Sequence, residues 1–305
     1  MADLAALHRA LLRIDDWPVN ASAVAVVDTN GLVASRGDIN QVYALASVTK
    51  LMTALSMLVA VEEGTVSWTD LVTPGITLAN LMSHSAGVRP EGVGRPGEHR
   101  SEAAGRSPNV TAGVRPEGVG RDESISVAAP GTRRIYSNAG FEMAAAHLVA
   151  RSRIPFGQYV AEAVLDPLEL SLTSLDGRAA TGAYSTVGDL GRLAHQLLVP
   201  TLVSANTLAA ATRAWLPDLA GVLPGFGHQD PNPWGLGFEI RGHKSPHWTG
   251  SLNSSATFGH FGRAGGFLWV DPVRMVALCS LSDRDFGPWA THAWPALADS
   301  VLATW

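Results

Sequence analysis

At 305 residues with 46% hydrophobic side chains, the chain has the length and apolar content to bury one large core. Its formal net charge of −5 offers no basic footprint for nucleic acid or an anionic membrane. Cys279 is the one cysteine, which excludes an intramolecular disulfide, and no stretch reaches the roughly 20 apolar residues of a membrane span.

The chain opens with "MADLAALHRALLRIDDWP", an amphipathic helix pattern carrying His8, Arg9 and Arg13. It lacks the uninterrupted apolar stretch of a secretory signal, so a cytoplasmic location is expected. "ASAVAVVDTNGLVASRG" (21–37) places two apolar runs around Asn30-Gly31, a hairpin signal. From Ser47 to Glu63 the apolar residues recur at helical spacing, and further helical stretches fall at 77–83, 139–151, 156–165 and 186–198. After Pro233 the pattern changes. "WGLGFEIRG", "SATFGHFG", "GGFLWVDP" and "RMVALCSLS" read as strands bounded by Gly, Pro and Asp, and a last helix begins near Pro288. The expected fold is α/β of the α+β kind, one unit spanning 1–305. An antiparallel sheet is built from both termini (1–46 and 233–305) and flanked by helices, with a mostly helical subdomain (47–232) inserted.

"AGVRPEGVGR" occurs at 86–95 and again, letter for letter, at 112–121. Two copies do not make a solenoid, so the repeat reads as a local duplication. Its Gly, Pro, Arg and Glu content has no core-forming period, and 86–121 is expected as an inserted surface loop lying in solvent.

"ALASVTKLMTALSMLVA" (44–60) sets a charge inside an apolar run, and the chain has only two lysines, Lys50 and Lys244. On a helix, Ser47 and Lys50 at i and i+3 share a face, about 5–6 Å apart at Cβ. Apolar neighbours desolvate such a lysine and lower its pKa, which suits it to activate a serine. The plainer reading has Ser47 capping the helix while Lys50 snorkels to solvent. The spacing alone does not decide between them. The histidines His228, His243, His247 and His292 have no metal-ligand spacing, so neither a metal nor another cofactor is expected.

Further along stand "LANLMSHSAGV" (78–88), "APGTRRIYSNAGFEMAAAHLV" (129–149), "GAYSTVGDLGRLAHQLL" (182–198) and "GHFGRAGGFLWVDP" (259–272). In this order and spacing the chain resembles the penicillin-recognising serine hydrolases, in particular the class C β-lactamase-related group with its esterases and D-amino-acid peptidases. The resemblance runs from about Ala23 to the C-terminal helix. It implies Ser47 as nucleophile, Lys50 as its partner and Tyr136 as the tyrosine sharing base and acid duty. It implies Asn138 as the amide that holds the acyl side chain, and His260 and Gly262 as the third motif. The backbone N–H groups of Ser47 and Arg263 would form the oxyanion hole. A phenol beside an ammonium is expected to be pushed down toward a usable base. Tyr184 in "AYST" is a rival for Tyr136 but lacks the following Asn, and His84 reads as a structural histidine tying helix to loop.

The third motif departs from the family pattern. It is His-Phe-Gly rather than Lys-Thr-Gly, so a carboxylate would be gripped only by a protonated His260, expected to titrate near 6.5. This favours an acyl-enzyme serine hydrolase of carboxylesterase type, with weak or no β-lactamase activity. Its substrate would be a small ester, amide or β-lactam. A β-lactamase or D-alanyl-D-alanine carboxypeptidase is the first alternative, and a catalytically silent penicillin-binding sensing module the second.

Overall fold

The computed structural model of the protein describes residues 3–90 and 126–305. The second copy of the decapeptide, and the end of the first, lie outside the described residues.

Six antiparallel strands form the main sheet, in the order Glu239–Ile240, Phe258–Gly262, Gly266–Asp271, Val276–Ser282, Ser22–Asp28, Gly31–Arg36. The two ends of the chain meet within it, where Ser22–Asp28 pairs with Val276–Ser282 and Ala25 stands opposite Cys279. The hairpin sits one residue earlier than Asn30-Gly31 implies. Asp28 pairs with Gly31, leaving Thr29 and Asn30 as the turn.

Both faces of this sheet are covered. Along Ser22–Asp28, Ala23, Ala25 and Val27 belong to one core, and Val24 and Val26 to the other. That is the period of two that a strand imposes. Burial on both sides is why the run shows no polar alternation. On the first face lie the helices Thr49–Glu62, Asn138–Ser152 and Val187–Leu198. On the second lie the terminal helices Leu4–Leu11 and Pro288–Leu302, and the core on this side includes Trp234, Trp248, Trp269 and Trp294.

The helix Thr49–Glu62 is buried on every side over its first three turns. Its apolar residues cover the whole surface rather than one stripe, as in a helix enclosed by a core. Lys50 is 0% exposed, so the snorkelling alternative fails for lack of solvent within reach. Asn138–Ser152 begins where the sequence expects it, with the Ser137 hydroxyl accepting from the Gly140 N–H at 3.1 Å as its cap. The pattern does not reveal the helix Ala205–Ala211, the hairpin Gly221–Leu223 with Gly227–Gln229, or the small sheet of Tyr43–Ala44, Ala183–Ser185 and Ser174–Leu175. The strands among these are only two or three residues long, too short to display a period.

The decapeptide expectation needs correction where it can be seen. Ala86 and Val88 are buried, and Val88 bridges to Ser126. The Val127 N–H donates to the Gly87 carbonyl at 2.8 Å. Gly87 stands at φ +71° with the Ala128 carbonyl 2.0 Å from where a Cβ would be, so only glycine fits. The start of the first copy is packed structure, not surface loop.

Candidate active site

A cavity of about 530 Å³ opens where the N-terminal turn of the Thr49–Glu62 helix meets the strand Phe258–Gly262. Ser47, Tyr136, Asn138, Trp234, His260 and Arg263 all line it. A larger cleft of about 730 Å³ beside Leu168, Arg192 and His195 holds none of the expected catalytic residues.

Ser47 lies in the short turn Ala46–Val48 that leads into the helix. Ala46 before it is at φ +44°, a conformation that costs a non-glycine residue on the order of 1–3 kcal/mol. The Gly262 backbone presses against this turn. A Cβ there would stand 2.2 Å from the Leu45 carbonyl and 3.3 Å from the Ser47 nitrogen. The glycine of the third motif thereby brings the strand and the Ser47 turn into contact, with Arg263 next in line. The Arg263 side chain itself points to solvent, 89% exposed.

Two side chains converge on the Ser47 hydroxyl. Lys50 Nζ lies 3.2 Å away and the Tyr136 hydroxyl donates to it at 2.7 Å. Lys50 also donates to Asn138 Oδ1 at 2.7 Å and to the Ala180 carbonyl at 3.0 Å. Among the described residues no carboxylate touches it. Burial pushes its pKa down to about 7, with the charge of Glu142 opposing. Glu142 acts from a distance, because its carboxylate accepts from the Ala179 and Ala180 N–H groups at 3.1 and 3.0 Å. It braces the loop whose carbonyl holds Lys50.

Tyr136 departs from expectation. Burial pushes the phenol above its ordinary value, with the Ser47 hydrogen bond opposing and the Glu239 charge adding to the rise. The neighbouring ammonium does not win, because desolvating a phenolate outweighs a cation that is itself easily lost. Tyr136 is therefore a neutral donor toward Ser47. Tyr184 is 45% exposed and absent from the cavity wall, so the structure brings Tyr136 and not its rival to Ser47.

His260 is also corrected. Burial, then the charge of Lys50, pushes its pKa down to about 3, with the Phe261 carbonyl and Glu239 opposing. Its Nδ1–H donates to the Phe261 carbonyl at 2.6 Å, which leaves Nε2 as the acceptor, buried without a partner among the described residues. A neutral imidazole replaces the titrating cation that sequence reasoning expects.

His84 has the expected structural part. Its Nδ1 accepts from the Ser137 N–H at 3.1 Å, and its ring lies 4.6 Å from that of Tyr136. The decapeptide contributes here too. The Arg89 carbonyl accepts from the Ser137 hydroxyl at 2.6 Å, the Pro90 carbonyl accepts from the Asn138 N–H at 2.9 Å, and Pro90 lines the cavity.

Sequence reasoning missed Glu239, which lines the cavity while 2% exposed. It accepts from Lys244, from His247 Nε2 at 2.9 Å and from Trp248 Nε1. Burial alone would raise its pKa, but the charges of Lys244 and His247 overcome this and hold the carboxyl below its usual range. The rarity of lysine was the one available signal, since both lysines turn out to be buried beside this cavity. Arg134 is likewise buried and spends its guanidinium on backbone carbonyls of Ser83, Asn232, Trp215 and Leu216. No group of three or more His, Cys, Asp or Glu able to hold a metal occurs among the described residues.

The family model for Beta-lactamase matches residues 19–302. The chain belongs to the Beta-lactamase family. It is thus a serine hydrolase by family. A crystal structure of a β-lactamase from Mycobacterium bovis is 46% identical with a TM-score of 0.84, covering 96% of this chain and 98% of that one. The structure of the octameric penicillin-binding protein homologue from Pyrococcus abyssi has a TM-score of 0.69 at 19% identity, covers 95% of this chain and 76% of that one, and speaks to fold alone. The D-alanyl-D-alanine-carboxypeptidase/endopeptidase AmpH of Escherichia coli (strain K12) is 28% identical over 201 residues, 53% of this chain. The match spans about half of that curated relative's length, 50%.

Proposed function

We propose that this family member hydrolyses uncharged esters or amides through an acyl-enzyme on Ser47, and that it is carboxylesterase-like with weak or no action on β-lactams. The observation that carries the reading is Lys50, buried with no carboxylate partner among the described residues and 3.2 Å from Ser47. With a pKa of about 7 it is substantially neutral at neutral pH and able to take the Ser47 proton. Ser47 Oγ then bonds to the substrate carbonyl carbon. The N–H groups of Ser47 and Arg263 receive the oxyanion, each such donor supplying about 2.7–4 kcal/mol in comparable sites. As the tetrahedral species collapses, Tyr136 passes its proton to the departing oxygen or nitrogen and is reprotonated by the Lys50 ammonium. Water repeats the sequence in reverse to free the acid. Asn138, held by Lys50, orients the acyl arm.

The neutral His260 supports the preference for uncharged substrates, because it offers a carboxylate neither charge nor donor. The alternative, β-lactamase or D-alanyl-D-alanine carboxypeptidase, draws on the Mycobacterium bovis and AmpH relatives. A fluorescent phosphonate and a fluorescent penicillin on the same sample separate them. Labelling of Ser47 by the phosphonate with little penicillin turnover is expected. Rapid penicillin turnover sinks the esterase reading, and an adduct on Ser83 or Ser137 sinks the nucleophile assignment.

A further inference from the structure

Five of the residues that line the catalytic cavity are apolar or glycine and take no part in the side-chain hydrogen bonds already described. The tip of the hairpin Gly221–Leu223 with Gly227–Gln229 supplies Leu223, Pro224 and Gly225 to it. The strand Phe258–Gly262 supplies Phe261, and the loop ahead of the C-terminal helix supplies Phe286. Phe286 is the half-buried member. Its ring lies 5.0 Å from Phe261, 5.7 Å from Phe226 and 5.3 Å from Trp294, so it packs within a cluster of tilted aromatic rings. Its backbone ties it to the reacting centre, because the Phe286 N–H donates to the Arg263 carbonyl at 2.7 Å. Arg263 carries the expected oxyanion N–H on the same residue. Gly225, at φ +78°, lies so close to Phe286 that a Cβ would stand 2.5 Å from its Cε1. The hairpin tip and the ring are fitted to each other.

We infer that Leu223, Pro224, Phe261 and Phe286 form a subsite for an aromatic or branched apolar arm of an uncharged substrate, set directly beside the oxyanion position. The inference rests on Ser47 being the acylated residue and adds a substrate class to it. An apolar ring entering this wall leaves water, and the buried charged groups near it are engaged by partners of their own. Lys50 is spent on Ser47, Asn138 and Ala180, and Glu239 on Lys244, His247 and Trp248. The side chains of Arg263 and Asp285, 4.0 Å apart at the rim, are 89% and 72% exposed and leave the wall uncharged.

The test compares neutral ester pairs that differ by methyl against benzyl, first on the acyl side and then on the alcohol side. The benzyl member of one pair should have a kcat/KM about tenfold or more higher, the return expected from desolvating part of an aromatic ring. Phe286→Ala should collapse that ratio toward one, and Phe286→Leu should keep most of it. Gly225→Ala, which displaces the ring without removing it, should lower the ratio as well. Thermal melts establish that each variant is folded. Equal kcat/KM for methyl and benzyl on both sides, or a ratio unmoved in Phe286→Ala, overturns the subsite. If the wild type turns over no ester and the phosphonate does not label Ser47, the Ser47 reading fails separately. The subsite is then read from binding of the matching neutral amides to Ser47→Ala by tryptophan fluorescence, with the same tenfold preference expected and equal affinities counting against it.

Discussion

The two lysines of this chain are buried within one region and do opposite things. Lys50 has no carboxylate partner among the described residues, hydrogen-bonds to a hydroxyl, an amide and a carbonyl, and is easily deprotonated. Lys244 sits against Glu239, which His247 and Trp248 also hold, and Glu239 stays ionised. A buried cation with a carboxylate is neutralised by pairing and serves structure. A buried cation without one is neutralised by losing its proton and becomes a base. The same side chain reports on opposite functions, and the partner decides which.

The largest effect should come from removing the unpaired lysine. Lys50→Arg keeps a cation that cannot deprotonate, and Lys50→Met removes the base. Each should cut kcat/KM on a neutral ester by on the order of 10²–10⁴. Tyr136→Phe should fall in the same range, and the double variant should lose little more, because groups in one proton-transfer network fail together. Full additivity would separate their roles.

Lys244→Met should reverse the balance between activity and stability. It strands Glu239 as a buried unpaired charge, so chemical denaturation should show a loss of about 3–5 kcal/mol, recovered in part by adding Glu239→Gln. Lys50→Met, by contrast, strands no buried charge and should leave stability within about 1 kcal/mol of wild type or raise it. Equal destabilisation by the two would dissolve the distinction.

Acidity sharpens it further. If Lys50 acts as the neutral amine, kcat/KM should climb about tenfold per pH unit below its titration and level off above, with the bend near the Lys50 value of about 7. Tyr136, raised above its ordinary 10.0, should give no falling limb before that pH. The stability windows also differ. Between about 7 and 10.5 the unfolded chain holds the Lys50 proton that the folded chain has lost, so this group makes stability rise with pH. Glu239, held below its ordinary 4.5, contributes stability that is fully present above 4.5 and lost on acidification. The smallest effect concerns His260. Its neutrality down to about 3 predicts that the preference for neutral over carboxylate-bearing substrates stays flat from pH 5 to 8. His260→Lys should shift that preference toward carboxylates. An inflection near the ordinary histidine value of 6.5 in the wild type would restore the titrating clamp.

Much of the site was legible because its chemistry is local in sequence. Ser47 and Lys50 are three residues apart on one helical face, "YSN" carries Tyr136 and Asn138 together, and "HFG" carries the glycine that must meet the nucleophile turn. The paired charges were not legible. Glu239 and Lys244 are five residues apart across a strand end, where no fixed period says which side chains meet. The decapeptide misled for a related reason. Its composition describes a loop, yet Gly87 and Val88 are held by Val127 and Ser126, about 40 residues on.

By itself the sequence determined the architecture and the placing of Ser47 and Lys50 on one helical face, because apolar period and residue spacing are properties of the chain that survive without neighbours. It could not determine protonation. Whether Lys50 is a base, Tyr136 a donor and His260 neutral depends on how much water each retains and on which charges stand near it. Those are properties of a folded environment assembled from the Thr49–Glu62 helix, the Phe258–Gly262 strand and the loops between, and only the tertiary structure decided them.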